Sequence, residues 1–493
     1  MTELEKNDIQ GLVFSGYPKN DAASYLMLEV VDPGRARAWL GRIAGLLTAG
    51  EPRDYEVTMN LAVTARGLSA LGLPKAAIET FSREFREGMA GEEHRSRVLG
   101  DTDDSDPSLW LWGARRDPGE RPKGCEPIHV MLLVFALDEA TLTGALAAER
   151  ARYAGALREV FVRDTVALPG RREHFGFADG IAQPTIAGSR AGEKPGAQVI
   201  KAGEFVFGYP NEYDKLPVSP SVPEALDAGQ NLGVARGGAK VSGRDFGHNG
   251  TYLVVRQLEQ DVARFWGAMA DYSRDSSGNI DREGAIKLAS KCVGRWPSGA
   301  PLVKSPDRDD PKLGNADDFL YAREDPRGLA CPIGSHIRRT NPRDSLEPTP
   351  EESLEVVDRH RIIRRGRSYG KPLEPFAHET EKTERGLFFA CINTNIRRQF
   401  EFIQQTWSNN PKFAGLYRDK DPIIGDQPPG DGGTYTIPEA PVRRRLEKLS
   451  RFVRVRGGEY FFLPSIRAVR FLAALEATDG VKRADRAAVQ ETA

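Results

Sequence analysis

Four clusters of residues in this 493-residue sequence have the types and spacing to do chemistry. The first surrounds one of seven histidines. His336 stands in Ser335-His336-Ile337-Arg338-Arg339-Thr340-Asn341-Pro342-Arg343, bounded by Gly334 and Pro342, with three arginines crowding one imidazole. A positive surround disfavours the imidazolium and keeps the ring neutral, the form that ligates a metal. The same arginines suit carboxylates, which a guanidinium grips through two parallel hydrogen bonds. The remaining histidines, His94, His129, His174, His248, His360 and His378, fall in no H-E-x-x-H pattern. The second cluster is Gly176-Phe177-Ala178-Asp179-Gly180, where two glycines allow close backbone approach to a flat ligand and Asp179 is a candidate general acid/base. The third, Ile362-Ile363-Arg364-Arg365-Gly366-Arg367-Ser368-Tyr369-Gly370, runs from an apolar strand end into an arginine pair and a glycine turn. The fourth, Gly386-Leu387-Phe388-Phe389-Ala390, has the period of two that puts Leu387 and Phe389 on one face. Taken singly, each has an ordinary structural explanation: a basic surface turn, an Asp-Gly turn, a solvated charge run, a core strand.

The elements that must carry these clusters repeat in order. Ser24 to Val31 is a β-type run, Arg37 to Leu47 is helical, and Tyr55 to Thr64 alternates like a strand. After a helical stretch at Ala76 to Met89 come a strand at Ile128 to Leu137, a helix opening at Asp138, and a short run near Val160 to Val166. The order β-α-β-β-α-β is that of a ferredoxin-like sheet. Residues 185–245, rich in Gly, Pro, Asn and Asp, predict a long insertion with little regular structure. A second set follows: a strand at Thr251 to Arg256, a helical run Glu259 to Tyr272, a strand at Gly386 to Thr394, a helix at Ile396 to Trp407, and a strand at Glu459 to Leu463. The expectation is an α+β protein of two ferredoxin-like domains with antiparallel sheets and peripheral helices, 1–190 and 191–475, with the pocket mainly in the second and a polar, frayed tail at 476–493.

Composition narrows the classes of function. Charged residues are 28% and hydrophobic ones 40%, which excludes a disordered or fibrous chain. Sixty-nine Lys plus Arg against 70 Asp plus Glu leave no global field to attract nucleic acid or an anionic membrane. The basic stretch from Arg338 to Arg367 is interrupted by Glu347, Glu351, Glu352, Glu355 and Asp358, which further weakens a nucleic-acid role. Cys125, Cys292, Cys331 and Cys391 lie far apart, in neither a disulfide framework nor a thiolate metal spacing. An acidic, polar N-terminus, without an apolar run or paired arginines, and the lack of an 18-residue apolar stretch make a cytoplasmic, non-membrane protein the expectation.

Taken together and in this order, the four clusters resemble those of the dye-decolourising (DyP-type) haem peroxidases, in their longer-chain branch. The resemblance extends through Ile9-Gln10-Gly11, Gly67-Leu68 with Leu71-Gly72, Gly203-Glu204-Phe205 with Gly208-Tyr209, and Gly458-Glu459-Tyr460-Phe461 with Pro464-Ser465. It implies one non-covalent haem b per chain, since no C-x-x-C-H occurs, with His336 as the iron's axial ligand. Asp179 resembles the family's distal acid/base and Arg364 its distal arginine, with Arg365 one register away. Where the compact branch often has Asn, this chain has Gly366. Leu387 and Phe389 correspond to the apolar distal wall and Arg339 to a haem-propionate partner. Asp421, with Asp426 second, is the carboxylate expected to accept the other ring N–H of His336.

The implied activity is reduction of hydrogen peroxide coupled to oxidation of dyes, phenols and related aromatics, with an acidic optimum whose lower limb reports Asp179. Trp407 and Tyr369, which flank the motifs, are candidate surface sites for oxidising bulky dyes. The alternatives are a haem carrier or deferrochelatase without turnover, and a non-catalytic interaction module; the oligomeric state stays open.

Overall fold

The computed structural model describes residues 3–51, 55–114, 124–189, 198–235, 243–346, 348–377, 379, 383–429 and 432–475. The expected polar tail, His378, Glu347 and parts of the 185–245 stretch (190–197 and 236–242) lie outside the described residues.

The first half folds as β1 (Ala22–Val30), α1 (Pro33–Ile43), β2 (Val57–Val63), β3 (Val130–Ala136), α2 (Glu139–Tyr153) and β4 (Leu157–Val166). Asp32 caps α1 by accepting the amide of Arg35, and Asp138 caps α2 by accepting that of Thr141. The second half contributes β5 (Thr251–Gln260), α3 (Val262–Tyr272), α4 (Arg282–Val293), α5 (His336–Thr340), β6 (Ile363–Arg364), β7 (Arg367–Tyr369), β8 (Gly386–Asn393), β9 (Val453–Leu463) and α6 (Ile466–Ala474).

In each half the first strand lies between the third and the fourth, and the second takes the edge: β4-β1-β3-β2, then β9-β5-β8 with β6 and β7 both on β8. That is the ferredoxin-like order, and the α+β class with antiparallel pairing is as expected from the sequence. The two sheets are not separate, however. β9 pairs with β2 where Phe462 faces Val63, so the halves form one nine-stranded sheet. One face packs Leu26, Leu61, Leu132 and Val254 against helical residues such as Trp39, Leu40 and Phe471. The other packs Tyr25, Leu133, Leu253, Phe388 and Ile392 against Phe205, Val206 and Tyr209. With both faces covered, β3 reads as an unbroken apolar run.

Several elements depart from the local reading. β5 runs on to Gln260, because Gln260 pairs with Val453 on β9, and α3 begins only after Asp261, whose side chain accepts the amide of Arg264. The stretch at Ala76 to Met89 is two short helices, Lys75–Ile78 and Arg83–Glu87, the second capped by Ser82. The helix expected at Ile396 to Trp407 is π-helical, over Arg397–Glu401 and Ile403–Ser408. The glycine-rich insertion holds two short strand pairs, Thr185–Ile186 with Val199–Ile200 and Ser221–Val222 with Arg244–Asp245.

Candidate active site

His336 is the first residue of α5, immediately after Ser335. Its Nδ1 lies 2.9 Å from Oδ2 of Asp421, a fully buried carboxylate 85 residues along the chain. The second oxygen of Asp421 accepts the amides of Ile423 (2.8 Å) and Ile424 (3.0 Å). Burial pushes the Asp421 carboxyl up, but its pairing with His336 and these amides outweigh burial and hold it below the ordinary carboxylate range. An ionised Asp421 accepts a hydrogen bond from Nδ1–H, which leaves the lone pair of the imidazole on Nε2. Asp426, the other carboxylate considered for this contact, pairs instead with Lys420 at 2.8 Å.

Asp179 comes from a hairpin, in which Arg172 and Ala178 form an antiparallel bridge and Gly176 takes a positive φ of 95°. Its Oδ1 accepts from Nη1 of Arg364 at 2.7 Å and from the amide of Gly180 at 2.6 Å. Burial raises the Asp179 carboxyl, yet the Arg364 guanidinium and the Gly180 amide leave it lower than an ordinary aspartate.

The pleat decides between the tandem arginines. Arg364 reaches the cavity, whereas Arg365 points away and donates to the carbonyls of Leu12 (2.7 Å) and Val13 (2.8 Å). Gly366 separates β6 from β7 where the chain presses on β8; a Cβ there would lie 2.9 Å from the Phe388 carbonyl oxygen, so no asparagine fits without displacement.

These groups line one cavity of about 260 Å³. His336, Asp179, Arg364, Leu387 and Phe389 all contribute to its walls, among apolar side chains including Leu258, Ile362, Phe400, Ile403 and Val455. Phe388, Ala390 and Ile392, on the opposite face of β8, belong to the core.

Three expectations need correction. Arg339 does not face the cavity: its buried guanidinium donates to the carbonyls of Gly334, Trp407, Ser408, Asn410 and Asp419. It braces the turn before His336 and the 407–419 segment that leads into Asp421, and it does not line the cavity in which a propionate would lie. Nor do the three arginines form a positive shell around the imidazole. Arg338 binds the carbonyls of Asp325 and Cys331, and Arg343 binds those of Asp317 and Phe319. Trp407 and Tyr369 are only 4% and 1% exposed, so neither ring can meet a dye. Tyr213 and Tyr417 are rings that the surface does present.

Two cavity-lining groups were missed. Arg361 is buried, bonds weakly to the Ala182 carbonyl at 3.3 Å, and keeps a buried Nε with no partner among the described residues. Burial and neighbouring Arg343 push its pKa down to about 10. Glu173, at the base of the Asp179 hairpin, accepts the amides of Phe175 (2.9 Å) and Phe177 (3.0 Å) and the side chain of Gln260. No spacing in the sequence marks Arg361 among its neighbours; Glu173 was legible only as a turn-closing acid before a glycine.

In this α+β protein a carboxylate–imidazole pair and a carboxylate–arginine pair converge on an apolar cavity beside a fused ferredoxin-like sheet. No protein-family model matches the chain. It is 30% identical to a dye-decolorizing peroxidase of Mycena epipterygia over 451 residues, covering 84% of this chain and 76% of that one. It is 29% identical to a multifunctional dye peroxidase of an Amycolatopsis species, covering 96% of each. A fungal DyP-type peroxidase structure from Auricularia auricula-judae superposes with a TM-score of 0.76 at 27% identity, over 96% of this chain and all of that one. The chain belongs to the dye-decolourising peroxidase family and is a peroxidase. These relatives lend no support to a haem carrier without turnover. No helix among the described residues is long and apolar enough to cross a membrane.

Proposed function

We propose that the protein binds one haem b per chain, non-covalently, and reduces hydrogen peroxide with electrons from dyes, phenols and related aromatic molecules. The observation that carries this reading is the convergence on one apolar cavity of an imidazole backed by Asp421 and a carboxylate backed by Arg364. A lone imidazole suits a metal that brings its other ligands in a macrocycle. Nε2 of His336 is the nitrogen that would hold the iron. The partnerless Nε of buried Arg361 fits a propionate, with Arg343 beside it on the cavity wall. When bound, haem supplies the redox chemistry, taking two oxidising equivalents from the peroxide and recovering the electrons from the aromatic reductant.

The chain's own groups manage the proton and the charge. Oδ1 of Asp179 is engaged by Arg364 and Gly180, so Oδ2 is the oxygen that takes a proton from one peroxide oxygen and returns it to the other. Such positioned proton transfer contributes about 10²–10⁴-fold. Arg364 stabilises negative charge on the departing oxygen and, by keeping Asp179 ionised into acid, extends the working range downward in pH. Leu387 and Phe389 keep bulky reductants away from the reacting oxygens. A structure of a relative in complex with 2,6-dimethoxyphenol supports phenols as reductants. Cys292, Cys331 and Cys391 are buried free thiols, in keeping with a reducing, cytoplasmic setting.

The test is an absorption spectrum of the haem-loaded protein before and after one equivalent of peroxide, beside His336→Ala and Asp179→Asn. The Soret band should shift with peroxide, weaken in His336→Ala, and respond about 10²–10⁴-fold more slowly in Asp179→Asn. A wild-type Soret band unmoved by peroxide, or no specific haem binding, would sink the reading.

A further inference from the structure

Asp179 reaches the cavity on a hairpin, and a hairpin tip is held only as well as its hydrogen bonds hold it. Its two strands meet through the Arg172–Ala178 bridge and through the Asp179 amide on the Arg171 carbonyl at 3.1 Å. The turn between them is organised around one residue. The Glu173 amide donates to the Phe177 carbonyl, and the Gly176 amide donates to the Glu173 carbonyl, each at 2.9 Å. The Glu173 side chain then folds back over the same turn: Oε1 accepts the Phe177 amide and Oε2 the Phe175 amide. Oε2 also accepts from Gln260, the last residue of β5, which is fixed in the sheet by pairing with Val453. One carboxylate thus ties the turn to itself and to the sheet, within six residues of Asp179.

We infer that Glu173 is a positioning residue for peroxide cleavage: its carboxylate sets where Asp179 stands relative to Arg364. The inference rests on the roles proposed above for that pair. Both oxygens of Glu173 are occupied by N–H donors, whereas Asp179 lines the cavity and no donor among the described residues bonds its Oδ2, so Glu173 does not handle the peroxide proton. The two carboxylates are also pushed apart. Burial carries Glu173 up to about 7, with a small push from the charge of Asp179, while Arg364 holds Asp179 low. Above about pH 7, where Glu173 is ionised, its bonds from three donors are charge-assisted and strong enough to order a turn that a neutral side chain would leave loose.

The test combines two measurements on Glu173→Gln and Gln260→Leu. In the haem-loaded enzyme at a pH above about 7, where Glu173 is ionised, the second-order rate constant with hydrogen peroxide should fall about 10- to 100-fold in Glu173→Gln, the penalty for a slightly misplaced reacting group. It should fall less, but in the same sense, in Gln260→Leu. Rate constants for the aromatic reductant should stay unchanged in both, because a general loss of structure would lower them too. In the haem-free chain, amide exchange should rise over residues 173–180 and not over β5. Peroxide rate constants within twofold of the unsubstituted enzyme in both variants, or unchanged exchange over 173–180, overturn the inference. Should Glu173→Gln lose protection everywhere, Gln260→Leu, which removes one donor of three, decides by the same readouts. If the unsubstituted haem-loaded protein does not react with peroxide, the cavity assignment fails, and exchange in the haem-free chain still decides whether Glu173 holds the turn.

Discussion

Replacing Arg364 by glutamine removes the charge that keeps Asp179 ionised in acid. Nη1 lies 2.7 Å from Oδ1. Charge centres about 4 Å apart in an effective dielectric of about 20 attract by about 4 kcal/mol. The two side chains are 32% and 36% exposed, facing the cavity, so solvent screening must be discounted. About 1.5–3 kcal/mol remains, or about one to two pKa units. Without the guanidinium, burial acts on Asp179 against little more than the Gly180 amide, and the carboxyl moves from below its ordinary range to above it. Asp179 is a base only when ionised, and its depressed pKa places the acid limb of activity low. In Arg364→Gln that limb moves to higher pH by about one to two units. Above the limb, lost stabilisation of the departing oxygen costs a further factor of about 10²–10³. Arg364→Lys keeps the charge without the planar fork, so its limb should move much less than in Arg364→Gln. The assay is the stopped-flow rate constant with peroxide, measured from acid to neutral pH in the three proteins. A limb in Arg364→Gln that stays put or moves to lower pH refutes the electrostatic reasoning.

Asp421→Asn keeps an acceptor for Nδ1 of His336 but removes the charge behind it; haem affinity should drop about 10–100-fold, and equal transfer rates to a haem acceptor would contradict this. Two buried arginines should behave oppositely. Arg339→Leu withdraws a donor from five carbonyls, of which those of Ser408 and Asn410 keep the amides of Asp421 and Phe413, and should destabilise the haem-free chain to denaturant by about 2–4 kcal/mol. Arg361→Leu removes a buried charge with no ion pair among the described residues, so stability of the haem-free chain should hold or rise while haem affinity falls; the reverse pattern would reject the propionate role.

Much of the frame is legible in the sequence, because apolar runs such as β3 and β8 declare themselves through local periodicity, and aspartates such as Asp138 cap helices by contacts three residues away. The turn glycines around Asp179 and the neighbourhood of His336 were visible for the same local reason. What the tertiary structure decided are contacts between distant segments. Asp421 meets His336 across 85 residues, and Arg364 meets Asp179 across 185, in a register set by the pleat of a two-residue strand against β8. Neighbouring arginines of identical type were sorted by which buried carbonyls lay within reach: Arg339 was drawn into the loops around Asp421 and Arg365 to the N-terminal turn, while Arg361 was left facing the cavity. Sequence shows that a donor exists. Only the fold determines which acceptor it reaches, since burial requires each polar group to find a partner and chain crossing decides which partners are near.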